Sequence, residues 1–162
     1  MTVKFPIWIE LATLCLAAGL AVAQEAKTLP PPPDQDPFVG EWKANSEESR
    51  PKLSRAERSY VRTIRRAGEE VLFSSVGGAS KAKVRNFRLK CDGAFYPLPT
   101  GPVLSCRWVD TNRVEGETRD PNGKKNYWMR EVSPDGQRMT VTGYKNQSRT
   151  KIDSVMVLER VK

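Results

Sequence analysis

The chain of 162 residues contains no histidine. Histidine is the commonest general base and a frequent metal and haem ligand, so its absence excludes the serine–histidine–acid and cysteine–histidine catalytic arrangements. No glycine-rich phosphate loop opens a helix, and no cysteine cluster has zinc-site spacing. The adjacent carboxylates Glu47 and Glu48, and Glu69 and Glu70, lie in polar stretches, where neighbours on a strand point to opposite faces. We therefore predict a protein that is not an enzyme, with no catalytic residue, cofactor or metal site.

Long apolar runs are also missing. The longest, residues 11–23, is shorter than the roughly 20 residues that span a bilayer. It follows the basic Lys4 and ends in Ala-Val-Ala at 21–23, which is the layout of a secretory signal peptide. We predict a signal peptide over 1–23, a mature chain that begins at Gln24, and an exported protein, periplasmic or secreted. After cleavage we expect no integral membrane protein.

Proline is concentrated in one stretch. Residues 24–37 contain five of the 12 prolines among polar residues, a composition typical of an extended, flexible linker. The remaining residues, 38–162, are enough for one domain with one core and not for two.

Only two cysteines, Cys91 and Cys106, lie beyond the predicted signal peptide. In an oxidising compartment an isolated pair most simply forms one disulfide. The two lie symmetrically about residues 98–99, as partners across a hairpin do, and the same register pairs Leu89 with Trp108. A turn at residues 92–93 is the alternative and would remove this symmetry.

From residue 38 onwards, short β-rich runs alternate with glycine, proline and asparagine turn signals, and no long helical period appears. Short loops between consecutive strands imply antiparallel neighbours, so the sequence predicts an all-β, up-and-down meander. The predicted runs are 38–44, 58–67, 70–76, 82–91, 103–110, 113–119, 125–132, 137–144 and 150–160.

The C-terminal hairpins predict which side chains share a face. A four-residue loop over 133–136 places Arg130 opposite Met139 and pairs Glu131 with Arg138 on the outer face. The inner face of these two strands then carries Trp128, Arg130, Val132, Met139 and Val141.

The strands on either side extend this register. Pairing across 145–148 places Ile152 opposite Val141 and Ser154 opposite Met139. A three-residue loop over 121–123 places Gly116 opposite Trp128 and Val114 opposite Arg130, and it leaves Glu115 and Glu117 in solvent. Arg130 is therefore the one charge that we predict on the inner face.

The first predicted strand carries a short motif. Gly40 and Trp42 reproduce the glycine-any-tryptophan signature that opens lipocalins, directly after the linker. With the meander, residues 38–162 resemble the small exported lipocalin-like proteins of bacteria. This resemblance implies a calycin-type barrel of about eight to ten strands, with a cup for small apolar or amphipathic ligands. It also implies that Gly40 and Trp42 are structural, with Trp42 at the closed end under an arginine of the last strand, for which Arg160 is best placed.

These predictions point to a binding protein. A buried guanidinium without an anion is costly, and its planar fork suits a carboxylate, so Arg130 is the candidate anion site. The alternatives are that Arg130 pairs with an interior acid or reaches the barrel mouth. The predicted ligand-binding residues are Arg130, Trp128, Met139, Val141, Ser154 and Trp108.

The net charge of +8 supports a different hypothesis, an envelope module that binds anionic polymers or lipid headgroups through a basic surface. Ordinary alternation of outward charges with inward apolar residues also explains the basic run, and we predict loose envelope association and no nucleic-acid partner. The run comprises Arg55, Arg58, Arg62, Arg65, Arg66, Lys81, Lys83, Arg85, Arg88 and Lys90.

Overall fold

A computed structural model describes residues 31–53, 57–76 and 85–162. The predicted signal peptide and residues 24–30 of the predicted linker lie outside the described residues. In the described part of the chain, no helix is long and apolar enough to cross a bilayer.

The described residues form ten strands and two short 3-10 turns, which confirms the all-β meander. The turns are Pro33–Gln35 and Glu57–Ser59. The strands are β1 (Gly40–Arg50), β2 (Val61–Ala67), β3 (Glu70–Val76), β4 (Arg85–Leu89), β5 (Asp92–Pro97), β6 (Val103–Asp110), β7 (Arg113–Arg119), β8 (Lys125–Val132), β9 (Arg138–Tyr144) and β10 (Ile152–Arg160).

One antiparallel sheet contains all of these strands and forms a nearly closed barrel. The first strand, β1, pairs with β10, and the order of neighbours runs β4-β3-β2-β1-β10-β9-β8-β7-β6-β5. Its two edges, β4 and β5, are consecutive in sequence and are joined through Lys90 and Cys91. Strand β5 was not predicted from the sequence. Nearly all of its residues are exposed, so its sequence does not show the apolar alternation of a half-buried strand.

The predicted disulfide between Cys91 and Cys106 is confirmed, with the two Cα atoms 4.6 Å apart. The predicted pairing of Leu89 with Trp108 is wrong, because Leu89 lies opposite Val71 and Trp108 lies opposite Val114. The chain leaves one sheet edge after β4 and joins the other at β5, so the cysteines do not lie in one regular hairpin.

The β8–β9 register differs from the prediction by two residues. Val132, not Arg130, lies opposite Met139, and Arg130 lies opposite Val141. The reason is a longer loop, since the Ser133 amide donates to the Arg138 carbonyl at 2.8 Å. An even shift leaves every side chain on its predicted face. It does separate Arg138 from Glu131, and Arg138 forms an ion pair with Glu48 instead.

A β-bulge near Asp153 changes the predicted position of Ile152. Ile152 lies opposite Tyr144 and is 61% exposed. Beyond the bulge, Ser154 lies opposite Gly143, and not opposite Met139 as predicted. The extra residue carries Ile152 out of the inner face, as a bulge does to any period-two pattern.

The β7–β8 register agrees with the prediction, with Val114 opposite Arg130 and Gly116 opposite Trp128. Glu115 was predicted in solvent and is only 7% exposed. Arg107 binds its carboxylate at 2.8 Å and Arg149, from the β9–β10 loop, binds it at 3.3 Å. This loop covers the outer face, a tertiary contact that strand alternation does not reveal.

One end of the barrel is closed by core side chains. Trp42, Ile64, Met139 and Leu158 are each at most 1% exposed. The guanidinium carbon of Arg160 lies 4.3 Å from the Trp42 ring centroid.

Arg160 also explains the nearby glycine and fixes the N-terminal segment. It donates to the carbonyls of Pro37 and Val39, both at 2.7 Å. A Cβ on Gly40 would lie 2.3 Å from its Nη1, so this position accepts no side chain without a shift of Arg160.

Residues 31–39, which we call the strap, contact the closed end. Asp36 pairs with Arg66 at 3.1 Å, and both side chains are at most 5% exposed. The Phe38 ring packs edge-on against Trp108, with 5.6 Å between centroids. Part of the predicted linker therefore contacts the barrel, and the predicted domain boundaries remain predictions.

Candidate functional site

Two arginines and three aromatic side chains meet on the inner face of the barrel, and we call them the arginine cluster. The Arg130 guanidinium carbon lies 4.6 Å from the Trp128 ring centroid and 4.8 Å from that of Phe73. The Arg62 guanidinium carbon lies 6.0 Å from the Phe73 ring and 5.2 Å from the Tyr60 ring. Strands β2, β3 and β8 thus bring two cations to one phenyl ring.

Alternation along the strands positions these side chains. Arg62 is two residues from the buried Ile64, and Arg130 is two residues from the buried Val132, so each arginine shares the face of a core residue. Gly116 makes room for Trp128, because a Cβ there would lie 2.3 Å from Cζ2 of the indole.

Arg130 is a buried cation without a described counter-ion. It is 7% exposed, its Nε has no hydrogen-bond partner, and no described carboxylate forms an ion pair with it. Burial, and secondly the charge of Arg62, lower the pKa of Arg130 to about 9, while Tyr60 acts in the opposite direction. At neutral pH the guanidinium remains charged, so the site carries uncompensated positive charge.

Asp36 is the acid that shares a small void of about 20 Å³ with Arg130. Its Oδ2 accepts from Arg66 at 3.1 Å and its Oδ1 accepts from the Phe38 amide at 2.9 Å. Burial raises the pKa of Asp36 despite these contacts. The carboxylate is therefore engaged by the strap and by Arg66.

Further unpartnered donors accompany Arg130. Nε of Arg62 and Nε1 of Trp128 are buried and have no hydrogen-bond partner in the described structure. Arg62 donates from Nη2 to the Tyr60 hydroxyl, which also lies 3.1 Å from the Ser75 hydroxyl. Buried donors are nearly always paired in proteins, so three in one cluster suggest that an acceptor belongs there.

The inner face becomes more accessible away from the closed end. Along β10, Leu158 is 0% exposed, whereas Met156 and Ser154 are partly exposed. Along β8, Val132 is 1% exposed and Arg130 is 7% exposed, whereas Trp128 is partly exposed. The arginine cluster thus lies between the fully buried core residues and the partly exposed inner side chains of the described strands.

The other predicted ligand-binding residues are not all at the cluster. Val141 lies directly opposite Arg130, and Ser154 is opposite Gly143, beside the Trp128 position. Trp108 lines the small void with Arg130. Met139 is fully buried in the closed-end core, opposite Leu158.

Arg62, Tyr60 and Phe73 were not predicted as site residues. In the sequence, Arg62 belongs to the basic run, for which ordinary alternation predicts outward-facing charges. The usable signal is the spacing of 60, 62 and 64, which places Arg62 on the same face as Ile64. This spacing predicts which face of the strand Arg62 occupies. It does not predict that Arg62 lies near Arg130, because Arg130 is on β8, a strand distant in sequence.

A second pocket, about 230 Å³ in volume, lies on the outer face and is lined by Arg107, Glu115, Tyr127 and Arg149, among others. Its buried Glu115 already binds both arginines. This pocket therefore offers no uncompensated charge comparable with that of the arginine cluster.

No protein-family model and no curated protein sequence matches the chain. Solved structures do share its fold. A mutant of the fluorescent protein UnaG is 15% identical with a TM-score of 0.56, and the match covers 78% of this chain and 97% of that one. The REP1-NXSQ fatty acid transporter is 14% identical with a TM-score of 0.54, covering 76% and 96%.

A Schistosoma mansoni fatty acid binding protein in complex with arachidonic acid is 16% identical with a TM-score of 0.55, covering 79% and 98%. At such identities the likeness concerns the fold alone. The chain has the β-barrel fold of these proteins. The predicted antiparallel barrel is confirmed, whereas the resemblance to exported bacterial lipocalin-like proteins, with its implied origin and export, remains a prediction.

Proposed function

We propose that this protein is a non-catalytic carrier that holds a small amphipathic molecule inside the barrel, with an anionic headgroup at the arginine cluster and an apolar tail on the inner face. The observation that carries the proposal is the buried guanidinium of Arg130, beside Arg62 and without a described counter-ion. A ligand anion would compensate this charge and accept a hydrogen bond from the unpartnered Nε–H of Arg130.

Two further observations support a ligand inside the barrel. The apolar residues Val141 and Met156 line the partly accessible inner face next to the cluster. Two of the structural neighbours are described as a fatty acid transporter and as a fatty acid binding protein in complex with arachidonic acid. We propose that the protein acts after export, in the periplasm or outside the cell.

The alternative, anion binding by an outer basic surface, receives less support. Arg66 pairs with Asp36 inside the barrel end, and Arg62 faces the interior. Arg88 and Lys90 form ion pairs with Glu70 and Glu69. The described part of the basic run therefore presents less free positive charge than its composition suggests.

A calorimetric titration of the wild type and Arg130→Leu tests the proposal, with a fatty acid and the alcohol of equal chain length as ligands. A charge-assisted hydrogen bond contributes about 1.5–3 kcal/mol, so the wild type should prefer the acid by about 10- to 100-fold. Arg130→Leu should lose this preference and still bind the alcohol.

Arg65→Leu is the matched control, because Arg65 is exposed on the outer face of the strand that carries Arg62. It should retain the preference for the acid. Equal affinities of wild type and Arg130→Leu for both ligands would show that Arg130 is not the anion site. Acid binding that collapses as salt rises, and that Arg65→Leu weakens, would favour the outer surface instead.

A further inference from the structure

The arginine cluster contains two positive charges and no described acid to balance them. Arg66, the third inward arginine of the region, is balanced by Asp36. The ionisable neighbours that act on the pKa of Arg130 are Arg62 and Tyr60, and neither is a carboxylic acid. The internal residues outside the described part, 54–56 and 77–84, include no aspartate or glutamate. A single carboxylate would therefore leave one positive charge uncompensated.

The number of free donors leads in the same direction. Five buried side-chain N–H groups lack partners in the described residues, and three of them belong to the arginine cluster: Nε of Arg62, Nε of Arg130 and Nε1 of Trp128. The other two are Nε of Arg66 and of Arg149, whose guanidinium groups already form ion pairs with acids. The Arg130 guanidinium lies on the Trp128 ring, and both arginines lie against Phe73, so the side chains that carry these donors form one cluster. A carboxylate has two oxygens. A phosphate monoester has three terminal oxygens, each a strong acceptor, and bears nearly two negative charges near neutral pH.

We propose that the preferred ligand is a phosphate monoester with a single apolar tail, whose dianionic headgroup binds between Arg62 and Arg130 and accepts a hydrogen bond from Trp128. Guanidinium groups bind phosphate oxygens in a planar, two-pronged geometry, which the paired arginines provide. The inference rests on the proposed function, because it assumes that the tail occupies the barrel.

Calorimetric titration with three ligands of equal chain length tests it: dodecyl phosphate, dodecanoate and dodecanol, each below its micelle concentration. Near pH 8 dodecyl phosphate should bind at least about tenfold more tightly than dodecanoate, since it gains a further charge-assisted hydrogen bond. Near pH 5 the phosphate loses its second charge, whose pKa is about 6, and its advantage should shrink. An unchanged advantage at the lower pH would overturn the dianionic headgroup.

The other outcomes separate the two proposals. Binding of dodecanoate as tight as that of dodecyl phosphate would overturn this inference and leave the carrier function standing. Binding of none of the three would overturn the carrier function itself. Inorganic phosphate is titrated as a fourth ligand. If it binds as tightly as dodecyl phosphate, the site binds free phosphate and the proposal of a ligand with an apolar tail is overturned.

Trp128→Phe tests the third donor, because it keeps an aromatic ring under Arg130 and removes the N–H. It should weaken dodecyl phosphate binding by about tenfold and change dodecanol binding little. Tyr127→Phe is the matched control, since Tyr127 points to the outer face of the same strand. Arg62→Gln provides an independent measurement and should abolish the preference for phosphate over carboxylate, whereas an unaltered preference in both site variants would overturn the inference.

Discussion

At the scale of single residues, Arg130 is where stability and binding oppose each other. Its guanidinium is removed from water between two aromatic rings, beside a second cation and without a described acid. Burial of a charge without a partner costs several kcal/mol, which a core built only for stability would avoid. Binding sites commonly retain such unfavourable groups because function requires them.

Arg130→Met should therefore raise the free energy of unfolding of the ligand-free protein, by about 1–4 kcal/mol. Methionine fills a similar volume and removes the uncompensated charge. Urea denaturation followed by circular dichroism measures the change. Arg113→Met, in an exposed residue that pairs with Asp110, should alter the value by no more than about 0.5 kcal/mol. A clear loss of stability in Arg130→Met would indicate that Arg130 is structural.

At the scale of elements, the junction between β4 and β5 is the place where the barrel wall lacks a strand pair. These two strands are the sheet edges, and the disulfide ties Cys91 at their junction to β6. A bridge between residues 15 apart in sequence restricts the unfolded chain.

Loss of this disulfide should lower the free energy of unfolding by about 3 kcal/mol, as the loop-entropy model gives for a loop of this length. Denaturation in the presence and absence of a dithiol reductant measures the difference. A variant with both Cys91→Ala and Cys106→Ala should show the reduced stability and no response to reductant. Equal stability of the oxidised and reduced wild type would contradict the expectation.

The strap is the second element whose role can be tested. The Asp36–Arg66 pair is buried, and burial raises the pKa of Asp36 because it disfavours the charged carboxylate. This desolvation cost offsets much of the attraction between the two charges, so the pair adds little to the free energy of unfolding and serves mainly to position the strap. Removal of one partner should destabilise the protein strongly, because it leaves the other charge buried without a counter-ion.

We expect Asp36→Ala to lower the free energy of unfolding by about 3–5 kcal/mol. Combination with Arg66→Met should recover most of the loss, since neither charge then remains. Asp34→Ala, in an exposed residue of the same strap, serves as the control. A double variant no more stable than Asp36→Ala would show that the strap depends on something other than this pair.

At the scale of the whole molecule, the described inner side chains are fully buried at the end covered by the strap and become partly exposed towards the other end. The predicted disulfide and the predicted signal peptide fit the same compartment, because structural disulfides form in oxidising surroundings.

Exported protein should accordingly begin at Gln24, after the Ala-Val-Ala sequence at 21–23. Amino-terminal sequencing of protein isolated from outside the cytoplasm provides the measurement, and its intact mass provides a check. Recovery of a chain that starts at Met1 would reject the cleavage.

The sequence by itself determined the strand-rich meander, the face of most inner side chains and the identity of the disulfide partners. These features follow from local rules, since alternation has a period of two and turns have characteristic residues. The prediction that Arg130 lies on the inner face is correct despite a two-residue register error, because an even shift preserves the face. The prediction for Ile152 failed because one extra residue at a bulge reverses it.

Only the tertiary structure decided which distant side chains meet. Arg62 and Arg130 are far apart in sequence. Strand alternation predicts that each of them faces the interior, but it does not predict which side chain each one meets across the barrel. Their proximity depends on the pairing of β1 with β10, which closes the barrel, and on the register of each strand pair from β2 through β1, β10 and β9 to β8. Such non-local contacts are set by the sum of weak interactions around the barrel, and no local pattern encodes that sum. The two positive charges of the arginine cluster are therefore a property of the folded barrel.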